Sequence, residues 1–153
     1  MSQDTATPPT TPGGGTLMEI SEEECFRLLA TQPVGRLAVA PAEGPPLVVP
    51  VNYFLDKKAI VFRSSPGLKV RLLRQAPVSF QVDSIDLYHH SGWTVLVHGV
   101  AYEASHWETD HVELASWAGG DKRTWVLIVP TAVTGRRLLP AELEWPTDGR
   151  GYL

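Results

Sequence analysis

The chain has 153 residues, 43% of them hydrophobic and 20% charged, with a formal net charge of −4. That balance fits one globular domain of about 130 residues with a proper core, and the acidic total argues against a general nucleic-acid binder. A lone cysteine, Cys25, excludes an intramolecular disulfide, no apolar run nears the roughly 20 residues that span a bilayer, and no signal-peptide core is present, so a cytoplasmic protein with neither nucleic acid nor membrane as partner is expected.

Residues 1–17, rich in Thr, Pro and Gly, cannot bury enough apolar surface to offset ordering and read as a disordered tail. The domain is expected over 18–139, followed by a loosely held tail at 140–153. Its first element reads as a helix from Met18 to Gln32: Ser21 and Glu24 form a capping box, and Cys25, Leu28 and Leu29 make an apolar stripe at helical spacing. Cys25 on that stripe reads as a buried structural thiol. Val34 to Ala40 is a strand, and Leu47 to Leu55 is a second one interrupted by Pro50. Proline cannot donate to a ladder, so one side of that strand must be an edge, a bulge or a ligand-facing surface. Asp56-Lys57 reads as a tight turn into a strand at Lys58 to Phe62. A helix at Gly67 to Gln75 and a strand at Val78 to Ser84 come next. The long strand Ser91 to Ala104 is apolar on both faces around Val95, Leu96 and Val97, so one face packs the core and the other is covered by a subunit, a ligand or a helix. A weaker helix at Ser105 to Ala118, a strand at Trp125 to Thr131 and the segment Ala132 to Leu139 complete the domain. Strands in hairpins without a βαβ rhythm predict a mostly β fold, a small antiparallel barrel with two or three helices.

Ala59 to Arg74 carries the chemistry. A short apolar strand breaks at Arg63-Ser64-Ser65-Pro66-Gly67 and enters a helix bearing Lys69, Arg71 and Arg74. A hydroxyl-rich turn before a helix N-terminus, flanked by Arg63 and Lys69, can seat one terminal phosphate. It lacks the spacing of a Walker loop, and a basic helix face in water is the alternative reading of the same residues. The five histidines make no zinc spacing, so no metal site is expected. Ser64 and Ser65 lie in no nucleophile elbow, and no catalytic acid or base stands out. Trp93 could stack on a flat ring, although an aromatic in a barrel is more often packing.

Taken in order, Gly35-Arg36-Leu37-Ala38, Pro50-Val51-Asn52-Tyr53, Phe62 to Lys69, Gly92 to Gly99 and Pro130 to Arg136 resemble the pyridoxamine 5′-phosphate oxidase-like split-barrel family, in its small bacterial flavin- or deazaflavin-binding branch. The resemblance implies a homodimer of six-stranded antiparallel split β-barrels with flavin sites in the interface grooves. By position it implies that Arg63, Ser64, Ser65 and Lys69 hold the FMN phosphate. The backbone of Val49, Pro50, Val51 and Asn52 would follow the isoalloxazine edge, with Trp93 and Thr94 at the ring or ribityl chain. Val48 and Tyr53 stand where the true oxidases of the family carry an arginine and a lysine, and no C-terminal Trp and Arg pair is matched. These departures argue against oxidation of pyridoxamine phosphate itself. The expected function is therefore an FMN-dependent oxidoreductase acting on an unidentified small molecule. The alternatives are an F420-dependent reductase and a non-catalytic binder of flavin or haem, with His98 or His89 as the axial ligand.

Overall fold

Pairing of sequence-distant strands dictates the architecture. The computed structural model describes residues 14–64, 76–104, 117, 119 and 124–141. Its elements are β1 (Thr16–Ile20), α1 (Glu22–Leu29), β2 (Val34–Val39), β3 (Leu47–Asp56), β4 (Ala59–Ser64), β5 (Ala76–Asp86), β6 (Ser91–Glu103) and β7 (Thr124–Leu139). The sheet order is β1-β7-β4-β3-β2-β5-β6, and β6 also pairs with β7. Six strands thus close into an antiparallel barrel, with β1 added beside the second half of β7. The expected mostly β, six-stranded barrel is what forms. One helix is present among the described residues; the helices expected at 67–75 and 105–118 lie outside them, apart from Trp117.

The largest differences from the sequence reading lie at the first and last elements. Thr16–Ile20, expected as tail and helix, is a strand paired with Leu139–Gly135. The helix starts only after Ser21, whose extended backbone and hydroxyl, accepting from the Glu24 N–H at 3.3 Å, set the N-cap. The last strand does not stop at Thr131 but runs on to Leu139. Pro130 and Thr131 are absorbed by a register shift, His98 pairing with Ala132 and Gly99 with Pro130. The proline therefore sits at an irregularity, where a missing N–H is tolerated, and the Thr131 hydroxyl donates to the His98 carbonyl at 3.2 Å.

Alternation fills the barrel. Leu37, Ile60, Phe62, Phe80, Val82, Val95, Val97, Val126 and Ile128 are all buried, each contributing about 1.5–3 kcal/mol relative to exposure for the larger side chains. Helix α1 plugs one end with Cys25, Leu28 and Leu29. Burial, with Glu22 and Glu24 nearby, pushes the Cys25 thiol pKa up, which fits the structural role. A Cβ on Gly135 would come within 2.5 Å of the Cys25 sulfur, so only glycine lets β7 pass the helix this closely. Tyr53 is buried edge-on against Phe80, with ring centroids 5.0 Å apart, and its hydroxyl donates to the Leu29 carbonyl at the helix end. Burial raises the pKa of that phenol, which stays a neutral donor. Tyr53→Phe keeps the ring contact but strands the Leu29 carbonyl, and should cost about 1–2 kcal/mol, read as a lower urea midpoint at unchanged m-value.

Candidate functional site

β3 has two partners, and they do not share it evenly. β2 pairs with Leu47 to Asn52, whereas β4 pairs only with Tyr53 to Asp56. The β3–β4 ladder therefore ends at Tyr53 and Phe62, and the next residues, Asn52 on one side and Arg63 and Ser64 on the other, flank the gap. Among the described residues nothing pairs with the other edge of β3 before Tyr53.

The polarity of that edge follows from one hydrogen bond. The Tyr53 N–H donates toward the β2 side, to the Pro33 carbonyl at 3.4 Å. Backbone groups alternate along a strand, so Val49 and Val51 turn theirs to β2, while Val48, Pro50 and Asn52 turn theirs to the open edge. Pro50 thus occurs on the side where its missing N–H breaks no ladder, as the sequence predicts. Of the four β3 residues expected at a cofactor, Pro50 and Asn52 reach the edge. Val49 and Val51 pack their side chains against the core and spend their backbone on β2.

The Asn52 side chain is doubly committed: Nδ2 donates to the Pro33 carbonyl at 3.3 Å, and Oδ1 accepts the main-chain N–H of Trp117 at 2.9 Å. Across the gap, Arg63 is partly buried with its guanidinium carbon 5.3 Å from the centre of the Trp125 ring. Ser64 is buried. Ser65 and Lys69 lie outside the described residues.

Trp93 and Thr94 are elsewhere. Thr94 pairs with Asp83 on β5, and β5 is bound in turn to β2 and β2 to β3. Three interstrand steps separate β6 from β3, about 14 Å along the sheet. Trp93 packs partly against the core, and the Thr94 hydroxyl accepts from Gln81 Nε2 at 3.1 Å. Both line a groove of about 300 Å³ with Gln81, Asp83, Arg136 and Leu138. Asp83 also binds Arg36 at 2.6 Å. Gln81 and Asp83 are absent from the sequence reading, and Arg36 enters it only within the Gly35 to Ala38 motif; the polar positions of the alternating run Val78 to Ser84 are the signal that marks an outward row there.

Of the two histidines considered as axial ligands, His98 lies on the outer face with Nδ1 2.9 Å from the Ser79 hydroxyl, lining a groove of about 410 Å³. His89 sits in the β5–β6 hairpin with Nδ1 2.6 Å from Asp86. Among the described residues no three His, Cys, Asp or Glu side chains converge on a metal-sized site, and no helix is long and apolar enough to cross a membrane.

A sequence profile of the pyridoxamine 5′-phosphate oxidase family matches residues 21–137. The chain belongs to that family. Among solved structures of the same fold, an FAD-binding protein from Mycobacterium smegmatis is 30% identical, covering 80% of this chain and 98% of its own, with a TM-score of 0.70. An FAD-binding protein from Mesorhizobium loti is 28% identical, covering 82% and 98%, with a TM-score of 0.69. An uncharacterised protein of Mycobacterium tuberculosis is 28% identical over 134 residues, 80% of this chain and 86% of that one. The family resemblance in the ordered motifs is thus confirmed across the barrel.

The hairpin that leads into Trp93 is pinned by Asp86, whose carboxylate accepts the Tyr88 and His89 N–H groups, each at 3.0 Å. The bond to the His89 ring, then these amides, hold its pKa below the ordinary carboxylate value. A depressed carboxylate stabilises above its unfolded pKa and stops doing so as pH falls through the folded one. Amide exchange at Tyr88 and His89, corrected for intrinsic rates, should therefore accelerate between about pH 5 and pH 2 while Phe80 stays protected.

Proposed function

We propose that the gap between β3 and β4 binds a flavin, and that the protein is a flavin-dependent oxidoreductase. The ladder that ends at Tyr53 and Phe62 carries this reading. Among the described residues it leaves backbone groups without a strand partner on the open side of Val48, Pro50 and Asn52, the complement a flavin's polar pyrimidine edge requires, and Arg63 follows the last rung on β4, with its guanidinium over Trp125. When bound, the flavin supplies hydride or electron transfer, and the protein contributes orientation and charge. Arg63 and Lys69 would meet the phosphate as charge-assisted donors. Pro50 and Asn52 would present their backbone to the ring edge, and the Val49 and Val51 side chains would keep that strand anchored in the core.

FMN and FAD share the ring, the ribityl chain and the first phosphate, so the same residues serve either. The FAD-binding relatives make the dinucleotide a required comparison. Thr94 and Trp93, three strands from Asn52, fit the site better when a second copy brings them, and the half-buried Leu96 on the outer face of β6 suits such an interface. A homodimer with paired sites is thus part of the proposal. Haem is the second reading: Ser79 engages His98 Nδ1, leaving Nε2 as the ring nitrogen for a metal in the neighbouring groove.

An absorbance spectrum of the purified protein, followed by titration with FMN, FAD and F420, decides among these. A flavin band near 450 nm or saturable binding supports the proposal, a Soret band the haem reading. Arg63→Ala with Lys69→Ala should weaken FMN binding at least tenfold, about 1.4 kcal/mol or more, at unchanged melting temperature. Unchanged affinity would mean that these cations only face water.

A further inference from the structure

Trp117 is a large ring left in water, 73% exposed. Scattered exposed apolar residues are ordinary, but this one is tethered. Its main-chain N–H is held by Asn52 Oδ1, and the same amide group is fixed from its other end by the Pro33 carbonyl. The two contacts leave the Asn52 amide no freedom to flip, since its oxygen meets a donor and its nitrogen an acceptor. Asn52 is also the last residue of the open edge of β3, next to the end of the ladder with β4. A residue 65 positions away is thus docked on the strand where the polar edge of the ring would lie.

We infer that Trp117 is a cofactor-binding residue that stacks on the flavin ring, and that Asn52 is its positioning residue. This rests on the flavin reading above. Asn52 divides its duties: its backbone serves the ring edge, and its side chain holds the aromatic that covers the ring. An indole gains by such burial both apolar area and offset stacking on a flat heterocycle. The side-chain amide of Asn52, being spent on Pro33 and Trp117, is not a ligand.

The test uses the full chain titrated with FMN and with FAD, reading dissociation constant, fluorescence yield of the bound flavin and melting temperature. An indole in contact quenches flavin emission, so the wild-type complex should be dim. Trp117→Ala should weaken binding roughly five- to tenfold and brighten the bound flavin, with no change in melting temperature because the side chain is exposed. Trp117→Phe should recover most of the affinity. Asn52→Ala should brighten the bound flavin as well, and adding Asn52→Ala to Trp117→Ala should brighten it no further; a purely structural asparagine would add its own effect to that of Trp117→Ala. If Trp117→Ala binds FMN and FAD with wild-type affinity and brightness, the inference is overturned while the flavin site stands. If the wild-type chain binds neither FMN, FAD nor F420, the flavin reading falls and this inference with it.

Discussion

Tyr53 forms the last rung shared by β3 and β4, and three contacts fix it there: its hydroxyl on the Leu29 carbonyl, its ring edge-on to Phe80, and its N–H on the Pro33 carbonyl. Because these partners belong to the helix, to β5 and to the residue just before β2, the place where the β3–β4 ladder ends is set by the core. The end of that ladder is therefore a consequence of packing. Binding energy then need not be spent on separating strands, which is the sense in which such a site is preorganised.

The electrostatic arrangement follows the same division. The buried core is apolar apart from Ser64, and these arginines stand at strand ends or on the outer face: Arg63 against Trp125, Arg36 against Asp83, and Arg136 against Glu19 on the far side of the barrel.

Most strands were legible because each is a β-branched apolar run closed by Pro, Gly or a tight turn, and local signals of this kind suffice where burial is one-sided. β1 was not. Thr16–Ile20 is largely exposed, with no alternation to read, and becomes a strand only because Gly135 to Leu139 arrive from the other end of the chain. Along β3, the unpaired side was legible from the missing donor of Pro50, while the division of backbone groups, Val49 and Val51 toward β2 and Pro50 and Asn52 away from it, was not. That division depends on which neighbour lies on which side of β3, a fact of pairing. The Asn52–Trp117 contact was out of reach for the same reason: no local pattern links residues so far apart.

The register shift at Thr131 reverses parity along β7. Val126 and Ile128 face inward before it; Val133, Gly135 and Arg137, odd-numbered, take the inner side after it. A single strand thereby works in two reading frames, one matched to β4 and one to β1 and the helix. The extra residue acts as a frame-shift in three dimensions. Removing Thr131 would not trim a bump; it would turn Gly135 outward and press Thr134 and Arg136 onto Cys25. Natural variation in length should therefore avoid this strand and collect in the connections around it.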